Sequence, residues 1–209
     1  MSTKLSNVPL WKQLFLTSRI VDHNVFTMEE VDYIVDYCSR LQLGKGQLFE
    51  SNPDYSTREA FTAWIDQPSP ETQWFYDRLN TTIEKHNDYC FNFELCGIPY
   101  IQYAEYHQGG HHDFHMDVNF DQPAPSQFDW RINEYFRKLT IVILLTQPEV
   151  DFGGGEFHVN MSMERTPYDV PMGKGSVLLF PSWILHKVCP VTWGVRKTLT
   201  TWVLGPKFR

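Results

Sequence analysis

Apolar positions recur along this 209-residue chain with two different periods, and the change falls near residue 90. Before it, they return every three to four residues in two stretches. Thr27 opens a Thr-x-x-Glu capping box closed by Glu30, and Val31, Ile34, Val35, Cys38 and Leu41 follow at helical spacing until Gly44. This predicts an amphipathic helix over about 28–41 whose stripe packs on a core. Ser69-Pro70-Glu71 places a serine at a helix cap and a proline at the first helical position. Trp74, Phe75, Leu79 and Ile83 then predict a second helix over about 70–88. Between the two, GKGQLFESNPDYSTREA (44–60) is rich in turn residues and reads as a lid-like loop leading into a strand near Phe61–Ile65. Residues 1–26 predict an irregular arm with one short strand over Phe15–Val21.

From Phe91 onward the pattern becomes short β-rich runs between Gly/Pro turns, at about 98–107, 112–118, 138–146, 155–159, 166–170, 175–180, 184–189 and 196–204. Eight such runs without a helix-length repeat indicate an antiparallel sandwich or jelly roll closed over a pocket. The segment 119–137, NFDQPAPSQFDWRINEYFR, reads as an access loop. The length fits a single domain over 1–209, with 1–90 as helical support and lid loop and 91–209 as a jelly-roll core.

Composition narrows the choice of function. Aromatic residues make up 15% of the chain, including 7 Trp, which suits a β-rich core and an aromatic-lined pocket. A net charge of −7 argues against a nucleic-acid or anionic-membrane partner, because those need a positive footprint. The 4 Cys form no CxxC pair and read as reduced thiols, Cys90 and Cys96 being the two that lie close enough in sequence to bridge. MSTKLSNVPLWKQLF lacks an apolar signal core, and no 18-residue apolar run occurs, so a soluble cytoplasmic protein is expected. Oligomeric state is not visible in the sequence.

Candidate chemistry gathers in IQYAEYHQGGHHDFHMD (101–117). On an extended backbone His115 and Asp117 share a face, about 6–7 Å apart at Cα, and form a pincer for one metal ion. An imidazole, a carboxylate and a second imidazole make one triangular face of an octahedron and leave the rest open, as Fe(II) chemistry requires. A chain with 8 His yields about half a His-x-Asp triplet by chance. A second copy, His86-Asn87-Asp88, is in fact present at the end of a helical stretch, where i and i+2 diverge by about 200° and cannot share a metal. For the missing ligand, His158 is available, but His186 has richer surroundings: Arg196 follows ten positions later and Thr198 shares its face. Pro190 and Gly194 supply a turn that would lay the Arg196 strand beside the one bearing His186. A guanidinium and a hydroxyl on one face would grip a carboxylate, although a buried Arg can equally serve a structural ion pair.

These residues carry a family resemblance. The chain from about 98 to 204 resembles the Fe(II)/2-oxoglutarate-dependent dioxygenases, and within them the prolyl 4-hydroxylase-like branch. Gln102, Tyr106, Gly109-Gly110 and His115-x-Asp117 follow that branch's first block; DFGGGEFHV and GKGSVLLFPS its middle strands; His186, Cys189-Pro190-Val191, Gly194, Arg196 and Trp202 its last block. The resemblance implies a double-stranded β-helix, a cupin-like jelly roll buttressed by N-terminal helices. It implies that His115, Asp117 and His186 bind Fe(2+), that Arg196 with Thr198 takes the distal carboxylate of 2-oxoglutarate, and that Tyr106 contacts this cosubstrate. Ascorbate is a further cofactor candidate, and O2 is the cosubstrate. Two departures from the pattern stand out: collagen-type relatives have lysine where Arg196 stands and often an aromatic where Lys197 stands, and KLTIVILLT lacks the tyrosine of animal oxygen-sensing relatives. The implied reaction is hydroxylation of a C–H bond, first of a prolyl residue in a peptide or protein, with a free amino acid as the alternative. His112, set on the face opposite His115, and Arg58 with Trp64 are candidates for the substrate side. From another class, His111, His112 and His115 could hold Zn(II) in a non-catalytic module, although such a site has no use for Arg196.

Overall fold

A computed structural model describes residues 19–46, 57–118, 135–160 and 167–207. In chain order, β1 (Ile20–Asp22), α1 (Met28–Ser39), β2 (Gly44–Lys45), β3 (Arg58–Glu59), β4 (Phe61–Ile65) and α2 (Gln73–His86) precede the change of period. After it come β5 (Ile101–Tyr106), β6 (His111–His115), β7 (Tyr135–Leu144), β8 (Phe152–Gly154), β9 (Phe157–Asn160), β10 (Tyr168–Asp169), β11 (Val177–Pro181), β12 (Leu185–Val188), β13 (Val191–Gly194) and β14 (Arg196–Pro206).

Local signals account for the helices. In α1 the Thr27 hydroxyl accepts from the Glu30 amide and the Glu30 carboxylate accepts from the Thr27 amide, so both halves of the capping box are made. The second helix begins later than the Ser-Pro signal implies. The Thr72 hydroxyl bonds back to the Ser69 amide at 2.7 Å, closing a turn over 69–72, and Thr72 becomes the cap residue. A π-helical turn, Asn87–Phe91, extends α2 to the first β-rich segment.

The strands form two facing antiparallel sheets, a double-stranded β-helix. The larger has the order β1-β11-β7-β14-β5-β4-β2, the smaller β10-β9-β12-β6-β3, and β13 pairs with β8 at the side. Alternation along the larger sheet divides the core in two. Ile101 and Tyr103 on β5, Leu139 and Ile141 on β7, and Leu199 on β14 pack under Val31, Ile34, Phe75 and Leu79 of the helices. Ala104, Tyr106, Val142 and Leu144 face the other way, toward Phe157 and Val188 of the smaller sheet. With both faces buried, β7 reads as a continuous apolar run instead of alternating, which is why LTIVILL shows no period.

Several expectations change. The Arg196 strand does not lie beside the His186 strand: β14 pairs with β5 and β7 in the larger sheet, whereas β12 pairs with β6 and β9 in the smaller. Of the residues read as a turn, 190–194, Val191–Gly194 form β13, which pairs with β8 and carries the chain from one sheet to the other. Residues 15–18 of the expected first strand lie outside the described residues, as do most of both expected loops; the strand itself appears as β1, paired with β11. All four cysteines are free.

Candidate active site

The site is built where β6 and β12 run side by side on the smaller sheet. His115, last residue of β6, is the register partner of His186 on β12. Asp117 lies just beyond the strand, where its amide donates to the Ser182 carbonyl at 2.9 Å. One ligand atom from each of the three converges within 4.8 Å.

Hydrogen bonds set the orientation of both rings. His115 Nδ1 lies 2.8 Å from the Asp113 carbonyl and His186 Nδ1 lies 2.8 Å from the Ile184 carbonyl. A carbonyl only accepts, so each Nδ1 carries its proton and each Nε2 is left with its lone pair. Those two Nε2 atoms stand 3.6 and 3.5 Å from the Asp117 carboxylate oxygens. Two lone pairs and a carboxylate aimed at one point make a donor set that a divalent cation completes, and the backbone carbonyls act as its orienting shell.

Electrostatics agree. Burial alone would raise the Asp117 pKa, but His186, His115, Arg137 and the Thr140 hydroxyl together hold it below the ordinary carboxylate range. That hydroxyl donates to Oδ2 at 2.7 Å and lies 3.0 Å from the Ser182 hydroxyl. His115 is pushed down to about 4 by burial and by His186 beside it, so it remains neutral, as a ligand must. Phe157 stacks on the His186 ring at 5.4 Å and Phe180 meets it edge-on at 4.8 Å, closing that side with carbon.

Arg196 enters from the opposite sheet. It begins β14 opposite Tyr106, its guanidinium carbon lies 5.5 Å from that ring's centroid, and it is 2% exposed. Among the described residues it has no acidic partner. Burial draws its pKa down, and a cation so placed is stabilised by an anionic partner. Thr198, two residues on and equally buried, shares its face. Gly155 explains part of the GGG motif: with φ at +64, a Cβ there would sit 3.0 Å from Arg196 Cδ. Lys197 points to the other face and pairs with Glu105 at 3.4 Å.

Other candidates fall elsewhere. His86 lies 2.9 Å from Asp22 at the back of the larger sheet. His158 is near Cys189 Sγ at 3.6 Å, and His111 Nδ1 donates to the Gly109 carbonyl. A His111-His112-His115 cluster does not form among the described residues. His112, however, is not on the opposite face from His115: their rings stack at 3.6 Å. The register from His115↔His186 to His112↔Val188 spans three steps on β6 and two on β12, and this bulge turns both rings to one side. The sequence does not reveal Thr140 and Ser182 as supports of Asp117; a threonine within a doubly buried strand is the one available signal. Trp64, Tyr100 and Trp202 form an aromatic cluster, with Arg137 placed 3.7 Å over the Trp202 ring and reaching the Asp117 carbonyl at 3.4 Å.

A two-histidine, one-carboxylate centre inside a double-stranded β-helix defines the class of non-haem iron oxygenases. Residues 101–204 match the model of the 2OG-Fe(II) oxygenase superfamily. The chain belongs to this superfamily, and membership implies Fe(2+) and 2-oxoglutarate as cofactors. A PKHD-type hydroxylase of Herminiimonas arsenicoxydans is 32% identical over 101 residues, 48% of this chain and 41% of that protein. Another, of Colwellia psychrerythraea, is 35% identical over 65 residues, 31% of this chain and 28% of its own length. The chain thus matches less than half the length of these curated relatives. A Pseudomonas putida prolyl-4-hydroxylase superposes with a TM-score of 0.72 at 17% identity, covering 92% of this chain and 95% of that one. A Trichoplax adhaerens prolyl hydroxylase, solved with a hypoxia inducible factor peptide fragment, gives 0.70 at 20% identity over 93% and 86%. At these identities the structures share the fold.

Proposed function

We propose that this protein is an Fe(II)- and 2-oxoglutarate-dependent dioxygenase that hydroxylates a C–H bond, foremost of a prolyl residue in a peptide or protein, releasing succinate and CO2. The observation that carries the reading is the His115, Asp117 and His186 donor set together with Arg196, a buried cation that has no counter-ion among the described residues.

In this reading His115 and His186 bind the iron through Nε2 and Asp117 through its carboxylate. Arg196 takes the distal carboxylate of 2-oxoglutarate, with Thr198 beside it and the Tyr106 ring against it. When bound, iron and 2-oxoglutarate together supply O2 activation and the oxidant that attacks the C–H bond. The chain's part is positioning and exclusion of water. Thr140 keeps Asp117 charged and oriented, the backbone carbonyls of Asp113 and Ile184 keep both Nε2 lone pairs forward, and Phe157 and Phe180 keep water from His186. The aromatic cluster of Trp64, Tyr100 and Trp202 offers apolar ring faces against which a pyrrolidine ring would pack, and this supports that substrate. A free amino acid is the second reading, favoured by Arg58, whose buried charge is also uncompensated among the described residues.

We place the whole chain in a single domain, with 1–90 supporting a catalytic core over 91–209. No described helix is long and apolar enough to cross a membrane; we propose a cytoplasmic location. The test is anaerobic titration with Fe(II) and 2-oxoglutarate, followed by succinate release in air with a proline-rich peptide mixture. A visible charge-transfer band with peptide-stimulated succinate is the expected result. No band in metal-loaded protein would refute the assignment.

A further inference from the structure

Arg58 stands beside the proposed iron site and takes no part in holding iron or 2-oxoglutarate in the reading above. It lies on β3, the edge strand of the smaller sheet, yet its Nη2 donates at 2.8 Å to Gln102 Oε1 on β5 of the larger sheet. The side chain therefore crosses the gap between the sheets. It is 8% exposed, its Nε is buried without a partner, and among the described residues it forms no ion pair. Its register partner across β3 and β6 is His112, whose Nε2 is likewise buried without a partner. Directly paired residues project from the same face, so both polar groups open on one side. The His112 ring stacks at 3.6 Å on His115, which places the pair against the metal centre.

Charge balance makes the point sharper. With the site filled, Fe(II) and Arg196 bring three positive charges, and Asp117 and 2-oxoglutarate bring three negative ones. Arg137 is already held by the Trp202 face and the Tyr100 hydroxyl. Among the described residues Arg58 remains a buried cation without a counter-ion, and an anion brought to it would stabilise the filled site.

Resting on the function proposed above, we propose that Arg58, with His112 beside it, is a specificity determinant that grips a carboxylate of the primary substrate, so that the preferred substrate is an acid bearing its carboxylate next to the ring, as in free proline or a C-terminal prolyl residue. An internal prolyl residue has a neutral amide at that position and leaves Arg58 uncompensated. A guanidinium offers a carboxylate two parallel donors, one to each oxygen, whereas an amide presents a single uncharged oxygen.

The experiment loads the protein anaerobically with Fe(II) and 2-oxoglutarate and titrates it with N-acetyl-L-proline and, separately, with N-acetyl-L-prolinamide. Perturbation of the charge-transfer band and tryptophan fluorescence are followed. The acid is expected to bind at least tenfold tighter than the amide in the wild type. In Arg58→Gln the preference disappears while 2-oxoglutarate affinity stays within twofold of wild type, which also reports that the variant is folded; Arg58→Lys retains part of the preference. Equal affinities for acid and amide, including failure of both to bind, would overturn the proposal. So would a preference that survives in Arg58→Gln. The acid and amide comparison in the wild type stands without any variant. Loss of the 2-oxoglutarate band in the wild type is a separate failure, one that removes the underlying function and this proposal with it.

Discussion

Replacing Thr140 by valine keeps the volume of a fully buried side chain and deletes one hydroxyl. That hydroxyl is the donor to Asp117 Oδ2 at 2.7 Å, and its other neighbour is the Ser182 hydroxyl at 3.0 Å. A hydrogen bond to a charged group contributes about 1.5–3 kcal/mol, so the carboxylate should lose that much orientation and charge stabilisation. Each 1.36 kcal/mol corresponds to about tenfold, which predicts Fe(II) binding weaker by about tenfold to a hundredfold, in the range expected for groups that orient metal ligands. Ser182 can swing toward the freed oxygen and recover part of this, so Thr140→Val/Ser182→Ala should lie at the upper end. Anaerobic Fe(II) titration in saturating 2-oxoglutarate measures the effect, and circular dichroism checks the fold. A folded Thr140→Val that binds Fe(II) within twofold of wild type would show that this hydrogen bond does not support the metal site.

Arg196→Met is expected to weaken 2-oxoglutarate binding by at least about 30-fold, since truncating one partner of a buried charge pair costs 2 kcal/mol or more, yet to leave the metal-free protein at least as stable as wild type. Titration and a thermal melt separate the two effects. In Gly155→Ala the φ of +64 and a Cβ 3.0 Å from Arg196 Cδ should cost about 1–2 kcal/mol, lower the melting temperature by a few degrees and raise the KM for 2-oxoglutarate. His115→Ala or Asp117→Ala should abolish turnover, whereas His86→Ala, which loses only its bond to Asp22, should keep it within about twofold; equal loss at His86 would assign the wrong triplet. For the metal-free protein, His115 has a folded pKa depressed from 6.5 to about 4 by burial. A histidine shifted in this direction contributes stability above its unfolded pKa and loses it as pH falls through the folded one. The melting temperature should therefore be level above about pH 7 and fall between 6.5 and 4.

What could be read in the chain was what short-range spacing controls. Thr27 and Glu30 bond to each other three residues apart, and Val31, Ile34 and Cys38 face one core because a helix turns every 3.6 residues. His115 and Asp117 were found for the same reason. What escaped depends on strands distant in sequence. Nothing within His111–His115 reveals that β12 will be one residue short opposite it, and that missing residue is what turns His112 onto the face of His115. Thr140 resembles any other β-branched residue of a buried strand until Asp117, 23 residues earlier in the chain, is folded against it. The jump of β14 to the larger sheet was hidden because Val191–Gly194 carries turn residues, and its pairing partner, Phe152–Gly154, lies some 40 residues upstream.

Two adjacent residues of β14 show how burial and pairing together locate function. Lys197 and Arg196 are both cations with much of their surface removed from water. Lys197 faces the helix side and finds Glu105 at 3.4 Å, an arrangement complete in itself. Arg196, more deeply buried, faces the space between the sheets and meets an aromatic ring but no carboxylate among the described residues. Holding a guanidinium in that state lowers the stability of the empty protein, because the charge has lost its water without gaining a partner. A fold keeps such a residue when an incoming anion recovers the loss, so the deficit in the empty protein is the source of affinity for that anion. The same logic applies to Arg58, also without a counter-ion among the described residues. In the proposed function one cation takes 2-oxoglutarate and the other the carboxylate of the molecule to be oxidised.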